Sequence, residues 1–182
     1  GSPASIKFRV AEAWVLEFPC SQGEHTMSTI PYRAMPTADA EAFWSGAPDA
    51  NGQRPEVAIS DGDGVPCRHC LADIAAGERH FVLAYRPFPS LQPYAETGPI
   101  FLHASPCRRA ADAGSIPAML ARRKAHLVKG YNSRNRIHGT GQIVQSAELD
   151  ETAHMLLQQP EVAYLHVRSA VNNCYTCRID RA

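Results

Sequence analysis

No run of apolar residues in this 182-residue chain approaches the roughly 20 that a membrane-spanning helix needs. The first residues show no basic region leading into a long apolar stretch, the pattern of a secretory signal. These two absences lead to the expectation of a cytoplasmic protein. There six cysteines are expected to be free, metal-bound or redox-active rather than paired in structural disulfides. Net charge is missing too. Eighteen Lys and Arg balance eighteen Asp and Glu, so the overall field names no partner. There are no internal repeats, which excludes solenoids and propellers, and no low-complexity segment. Ser105 and Ser115 lack the strand, Gly-x-Ser-x-Gly turn and helix of a hydrolase nucleophile. No pair of carboxylates stands out as acid and base. Cys, His and Asp are present, but no spacing joins one to another as nucleophile and base. Asp61-Gly62-Asp63-Gly64 lacks the later Glu of a helix-loop-helix calcium site and reads as a tight turn.

What is present is ordinary for a globular domain. Hydrophobic residues make up 45% and charged residues 20%, and the length suffices for one domain with a sizeable core. Residues 1–26 read as a separable leader, either native or foreign to the natural protein. Gly1-Ser2 resembles the remnant of a protease cut, and Met27 reads like a natural start. The expected domain is 27–182. Ile30 to Ala34 is a short strand, and Thr37 caps a helix to about Trp44. Val57 to Ile59, His80 to Tyr85 and Ile100 to His103 are strands. Between the last two, Pro87, Pro89 and Pro93 stiffen an irregular loop. Pro106 starts a short helix capped by Ser105, with Cys107 in its first turn. A helix runs from Ser115 to about Lys124. His126 to Tyr131 and Ile137 to Val144 flank a polar turn. Ser146 caps a helix to about Gln159, and Val162 to Arg168 pairs with Cys174 to Ile179 as a final hairpin. This order predicts an α+β domain, with a mixed, largely antiparallel sheet and about three short helices.

The chemistry concentrates between Pro66 and Cys107. Cys67-Arg68-His69-Cys70 puts two thiols three residues apart, and His103 and Cys107 follow four apart. Two such pairs match the ligand spacing of a closed zinc site. A Cys-x-x-Cys turn lets both sulfurs point at one ion, and the second pair closes the tetrahedron. The alternative set is Cys67, Cys70, Cys174 and Cys177. Its second pair sits in an alternating strand, where residues three apart face opposite sides, so it needs a local turn. The same Cys-x-x-Cys can instead be a redox pair or the centre of a thiol-dependent enzyme, with Arg68 and His69 favouring thiolates. A closed four-ligand site would be structural, whereas an enzyme keeps an open position or an accessible thiolate.

Charge has its own pattern. From residue 103 to 147 eight Arg and Lys face one acid, Asp112. Six of the eight lie in 122–136, and Lys129, Arg134 and Arg136 would gather around a hairpin tip, a candidate contact for nucleic-acid phosphates or a small anion.

In their order along the chain, Pro66-Cys67-Arg68, Gly98-Pro99-Ile100-Phe101, Gly130-Tyr131, Val162-Ala163-Tyr164 to His166-Val167-Arg168, and Cys174-Tyr175 resemble the family called domain of unknown function 1203. The resemblance implies a small bacterial α+β protein without a known activity. Combined with the cysteine spacing, it leads to the expectation of a binding or regulatory module. In it, zinc would fix the 67–70 loop against the start of a Cys107 helix.

Overall fold

A computed structural model describes residues 29–112 and 114–181. The leader expected at 1–26 lies outside the described residues. The strands divide between two antiparallel sheets rather than forming one. Five make the larger sheet: β1 (Tyr32–Arg33), β5 (Ala125–Tyr131), β6 (Gln142–Gln145), β7 (Tyr164–Ser169) and β8 (Tyr175–Asp180), in the order β1-β8-β7-β5-β6. Three make the smaller: β2 (Glu56–Ile59), β3 (Arg79–Tyr85) and β4 (Gly98–His103). Helices α1 (Thr37–Trp44), α2 (Ala118–Ala121) and α3 (Leu149–Gln158) complete an α+β domain. No helix of the described residues is long and apolar enough to cross a membrane.

Strand alternation decides what each face of the larger sheet does. Val128 pairs with Val167 and Val167 with Cys177; Leu165 pairs with Ile179 and Ile179 with Tyr32. All these side chains point to one side. They form the main core with Leu149, Ala153 and Leu157, which fall four apart along α3 and therefore on one helix stripe. The second core lies against the smaller sheet. It joins Leu83, Tyr85, Ile100 and Leu102 with Met35, Ile74, Cys67 and Tyr175.

The opposite face of the larger sheet carries a different row. Arg33 pairs with Arg178, Arg178 with His166, and His166 with Lys129, so four basic groups stand side by side across four strands. Like charges directly opposite repel. Carboxylates relieve the outer members: Asp180 takes both Arg33 and Arg178, and Glu96 takes Lys129 at 2.9 Å and Arg168 at 2.8 Å. His166 has no such partner. It is fully buried among the rings of Phe88, Tyr131, Tyr164 and Tyr175, with centroids 4.7 to 5.3 Å away. Phe88 comes from the proline-stiffened loop, which thereby covers this part of the sheet. Burial first, and then the charges of Arg168, Arg178 and Lys129, hold His166 well below its ordinary pKa, so it is neutral.

Two expected helices and two expected caps differ. No helix forms after Pro106. Ala110 N–H donates instead to His69 O at 2.9 Å, and Arg109 donates to Met35 O and Ala34 O, so this segment is held by tertiary bonds. The helix expected over 115–124 begins only at Ala118, because Pro117 disfavours helical backbone before it, and ends at Ala121. Two of the expected caps are also diverted. Thr37 Oγ1 meets His69 Nε2 at 3.1 Å, and Ser146 Oγ donates to Arg123 O.

Leu165 has no exposed surface at the centre of β7. Leu165→Ala is expected to cost about 2–5 kcal/mol by leaving a cavity, read as a lower denaturant midpoint at unchanged slope. His166 sets a pH dependence. An unfolded His titrates near 6.5 and the folded His166 titrates well below it, so the unfolded chain binds the extra proton as pH falls through that window. Stability contributed by neutral His166 is therefore intact above about pH 6.5 and lost at up to about 1.4 kcal/mol per unit below it. His166→Phe keeps an aromatic ring there. It should flatten the fall in unfolding free energy between pH 7 and 5, and an unchanged slope would refute this account.

Candidate metal centre

The residues 67–71 make a tight turn at the seam between the sheets. Leu71 N–H donates to Cys67 O at 3.0 Å, and Cys67 N–H to Ala72 O at 2.9 Å. The turn needs a left-handed residue directly after the second cysteine, and Leu71 supplies it with φ of 51°, an uncommon conformation for a side chain with a Cβ. This geometry aims backbone N–H groups at sulfur. Those of Cys70, His103 and His69 reach Cys67, and that of Ala72 reaches Cys70.

Two other segments bring in the remaining donors. His103 ends β4, whose Phe101 bridges to Cys67. Cys107 sits on the irregular segment that Arg109 and Ala110 tie down. As a result the ligand atoms of Cys67, Cys70, His103 and Cys107 all lie within 4.8 Å of one another. Cys67 Sγ is 3.9 Å from Cys107 Sγ, and Cys70 Sγ is 3.6 Å from His103 Nδ1. A tetrahedral ion with metal–sulfur bonds of about 2.3 Å and a metal–nitrogen bond of about 2.0 Å needs edges of about 3.8 Å and 3.5 Å. The Cys67–Cys107 and Cys70–His103 edges are close to these lengths. Cys67 is fully buried, whereas Cys70, His103 and Cys107 are half-buried.

Electrostatics within the cluster follow from proximity. Hydrogen bonding from the Cys70 side chain, then the backbone N–H groups, holds the Cys67 thiol far below the usual range, at about 4. The Cys70 thiol is pushed up by that same bond and by burial. Burial, then the charge on Cys67, pushes Cys107 up to about 12. Of the three sulfurs, Cys67 is therefore the one whose ionisation is favoured. A divalent ion would remove the remaining protons.

Supporting groups surround the four donors, and reading the spacing alone missed them. Glu78 Oε2 is 3.5 Å from His103 Nε2 and also accepts the Ala75 N–H at 3.1 Å. This leaves His103 Nδ1 free to ligate, the usual arrangement of a carboxylate behind a metal-bound His. His69 Nδ1 lies 3.3 Å from Cys107 Sγ, and its ring meets Trp44 edge-on at 5.3 Å. Trp44 Nε1–H donates to His103 O at 2.8 Å, so α1 buttresses both halves. The signal in the sequence was His69 inside the Cys-x-x-Cys turn and Glu78 in the following turn.

The other expected site residues lie elsewhere. Cys174 and Cys177 are free thiols outside this cluster. Cys177 is buried in the main core, on the far side of β8 from the basic row, and Cys174 is half-buried in the loop leading into β8. Lys129 is paired with Glu96, Arg136 stacks over the Tyr94 ring at 5.5 Å, and Arg134 stands exposed on the turn. The acidic partners of Lys129 and of Arg122 and Arg123, Glu96 and Asp73, come from distant parts of the chain.

No curated protein and no solved structure matches the chain. The family model described as Protein of unknown function (DUF1203) matches residues 64–181. That span begins just before the Cys67 turn and includes all four donors and the sheet strands β3 to β8. The chain belongs to the DUF1203 family.

Proposed function

We propose that this protein is a binding module whose Cys67, Cys70, His103 and Cys107 hold a structural zinc ion. The observation that carries the reading is the meeting of three sulfurs and an imidazole nitrogen within 4.8 Å of one another, two of the edges close to tetrahedral length. Three sulfurs favour zinc among the abundant divalent ions, since magnesium and calcium prefer oxygen. Four protein ligands leave no position for a water, so the ion would organise structure rather than perform chemistry. It would clamp the 67–71 turn, the end of β4 and the Cys107 segment together at the seam of the two sheets. Activity would then reside on a surface held by that clamp.

The competing reading is a thiol-dependent enzyme or redox pair at the same place. A nucleophilic cysteine needs a thiolate that a substrate can reach. Here the thiol whose ionisation is favoured, Cys67, is the fully buried one, which weighs toward the structural role.

Protein purified without chelator is expected to carry about one zinc per chain by elemental analysis, and Cys107→Ser or Cys70→Ser to lose most of it. Content below about a tenth of an ion per chain would end the zinc reading. Rapid alkylation of Cys67 or Cys70 in the zinc-loaded protein would instead favour the enzyme. If zinc is bound at a hundredfold excess over its Kd, stripping it removes about 2.7 kcal/mol. For a chain of this size that lowers Tm by about 5–11 °C, seen by thermal denaturation with and without chelator. Glu78→Gln should weaken zinc about tenfold in competition with a colorimetric chelator, because His103 loses its carboxylate.

A further inference from the structure

A second feature borders the 67–71 turn on its other side. A cavity of about 750 Å³ opens between that turn, β4, α2, the start of β5 and the loop joining β7 to β8. Its volume suits a small-molecule ligand. Pro66, Phe101, Met119, Leu120 and Val171 give it apolar walls. Met119 and Leu120 are buried, and Val171 at the loop is 90% exposed, an apolar side chain left at the rim.

The charged groups of the lining have one sign. Arg68, Arg123 and Lys124 border the cavity, and among the described residues no Asp or Glu does. The wider neighbourhood does not cancel this. Arg122 and Arg123 share a single acid, Asp73, and the Lys124 ammonium has no partner among the described residues. Arg68 is 3% exposed, yet its Nε and Nη1 donate only to the Tyr175 and Pro66 carbonyls, at 2.7 and 2.6 Å, and no carboxylate pairs with it. The anionic neighbours that Arg68 does have are sulfurs, Cys67 among them, so Arg68 adds to the sign of the wall and leaves Lys124 and Arg123 to meet a head group.

We propose that this cavity binds an amphipathic monoanion, a carboxylate carried on a hydrocarbon body. The body would lie against Phe101, Met119 and Leu120, and the head would meet Lys124 and Arg123. Apolar walls supply affinity in proportion to the area covered. The cations decide the sign of the head group.

The test uses the zinc-loaded full chain and titration calorimetry with sodium decanoate, with decyltrimethylammonium as the probe of equal chain length and opposite charge. Decanoate is expected to bind at one site per chain, and the cation at least about tenfold more weakly. Lys124→Glu changes an exposed side chain and should cost about tenfold in decanoate affinity with Tm and zinc content unchanged. Ala170→Trp places a ring at the loop lining the cavity and should abolish binding by filling it. Three results would each overturn the proposal: no saturable decanoate binding, equal affinity for the two probes, or native affinity in both variants. Zinc content measured on the same samples keeps the two readings apart. A zinc-free chain that still discriminates the probes removes only the metal, and a zinc-loaded chain indifferent to decanoate removes only the cavity.

Discussion

Three sulfurs and an imidazole nitrogen confined within 4.8 Å place the strongest constraint on this fold. Thiolates that close repel, so one ionises and the others are held protonated. The chain nonetheless spends structure on gathering them. Leu71 takes a left-handed conformation, N–H groups are turned toward sulfur, and Arg109 and Ala110 anchor the Cys107 segment by bonds that exclude a helix there. A divalent cation would resolve the repulsion and make each of these costs serve one purpose. The two sheets share few direct contacts apart from this seam, where β4 and the turn meet β8 through the Arg68 bond to Tyr175 O. The order of the seam therefore sets how the sheets sit together.

The donor set was legible in the sequence because ligand spacing is a local property. Two cysteines in a four-residue turn are constrained to meet, and a His and a Cys flanking Pro106 are close by covalent geometry. The route by which the second pair reaches the first was not legible. A helix after Pro106 follows local preference, but that preference is worth tenths of a kcal/mol to about one, and several tertiary bonds to Met35, Ala34 and His69 outweigh it. The diversion of Thr37 and Ser146 has the same origin. Strand positions came through well because β3 is a continuous apolar, β-prone run and the sequence alternates in β7 and β8. Their division into two sheets did not, since pairing partners are set by contacts far apart in sequence. His166 was invisible for a related reason: its character comes from Phe88, Tyr131 and Tyr175, which no window of the chain contains.

Basic residues illustrate how far a charge run can mislead. Between 122 and 136 six cations look like one surface. In the fold, Lys129 lies against Glu96 from the loop before β4, and Asp73 from the turn after Cys70 bridges Arg122 and Arg123. Neutral overall charge made such pairing available, and packing realised it. Lys124 is the unpaired cation of the run that borders the cavity, and among the described residues no acid lines that cavity. Local excess, after pairing is subtracted, is the quantity that selects a ligand's sign.

The metal centre and the cavity meet at one residue. Arg68 is covalently next to Cys67 and lines the cavity wall. A dication with three thiolates carries one net negative charge, so a zinc-filled centre draws on part of the Arg68 field across the turn. The centre and a ligand anion would thus share one buried cation. This makes Arg68 the weaker half of the head-group site when zinc is bound and shifts the discrimination toward Lys124 and Arg123. It also gives the turn a mechanical role. Arg68 is held by carbonyls of Pro66 and Tyr175 at 2.6 and 2.7 Å, and the Arg68 carbonyl accepts the Met35 N–H at 2.9 Å. Loosening the turn would release the guanidinium and one wall of the cavity together. Coupling between the two sites then needs no conformational relay, because a single five-residue turn presents sulfur to one side and a guanidinium to the other.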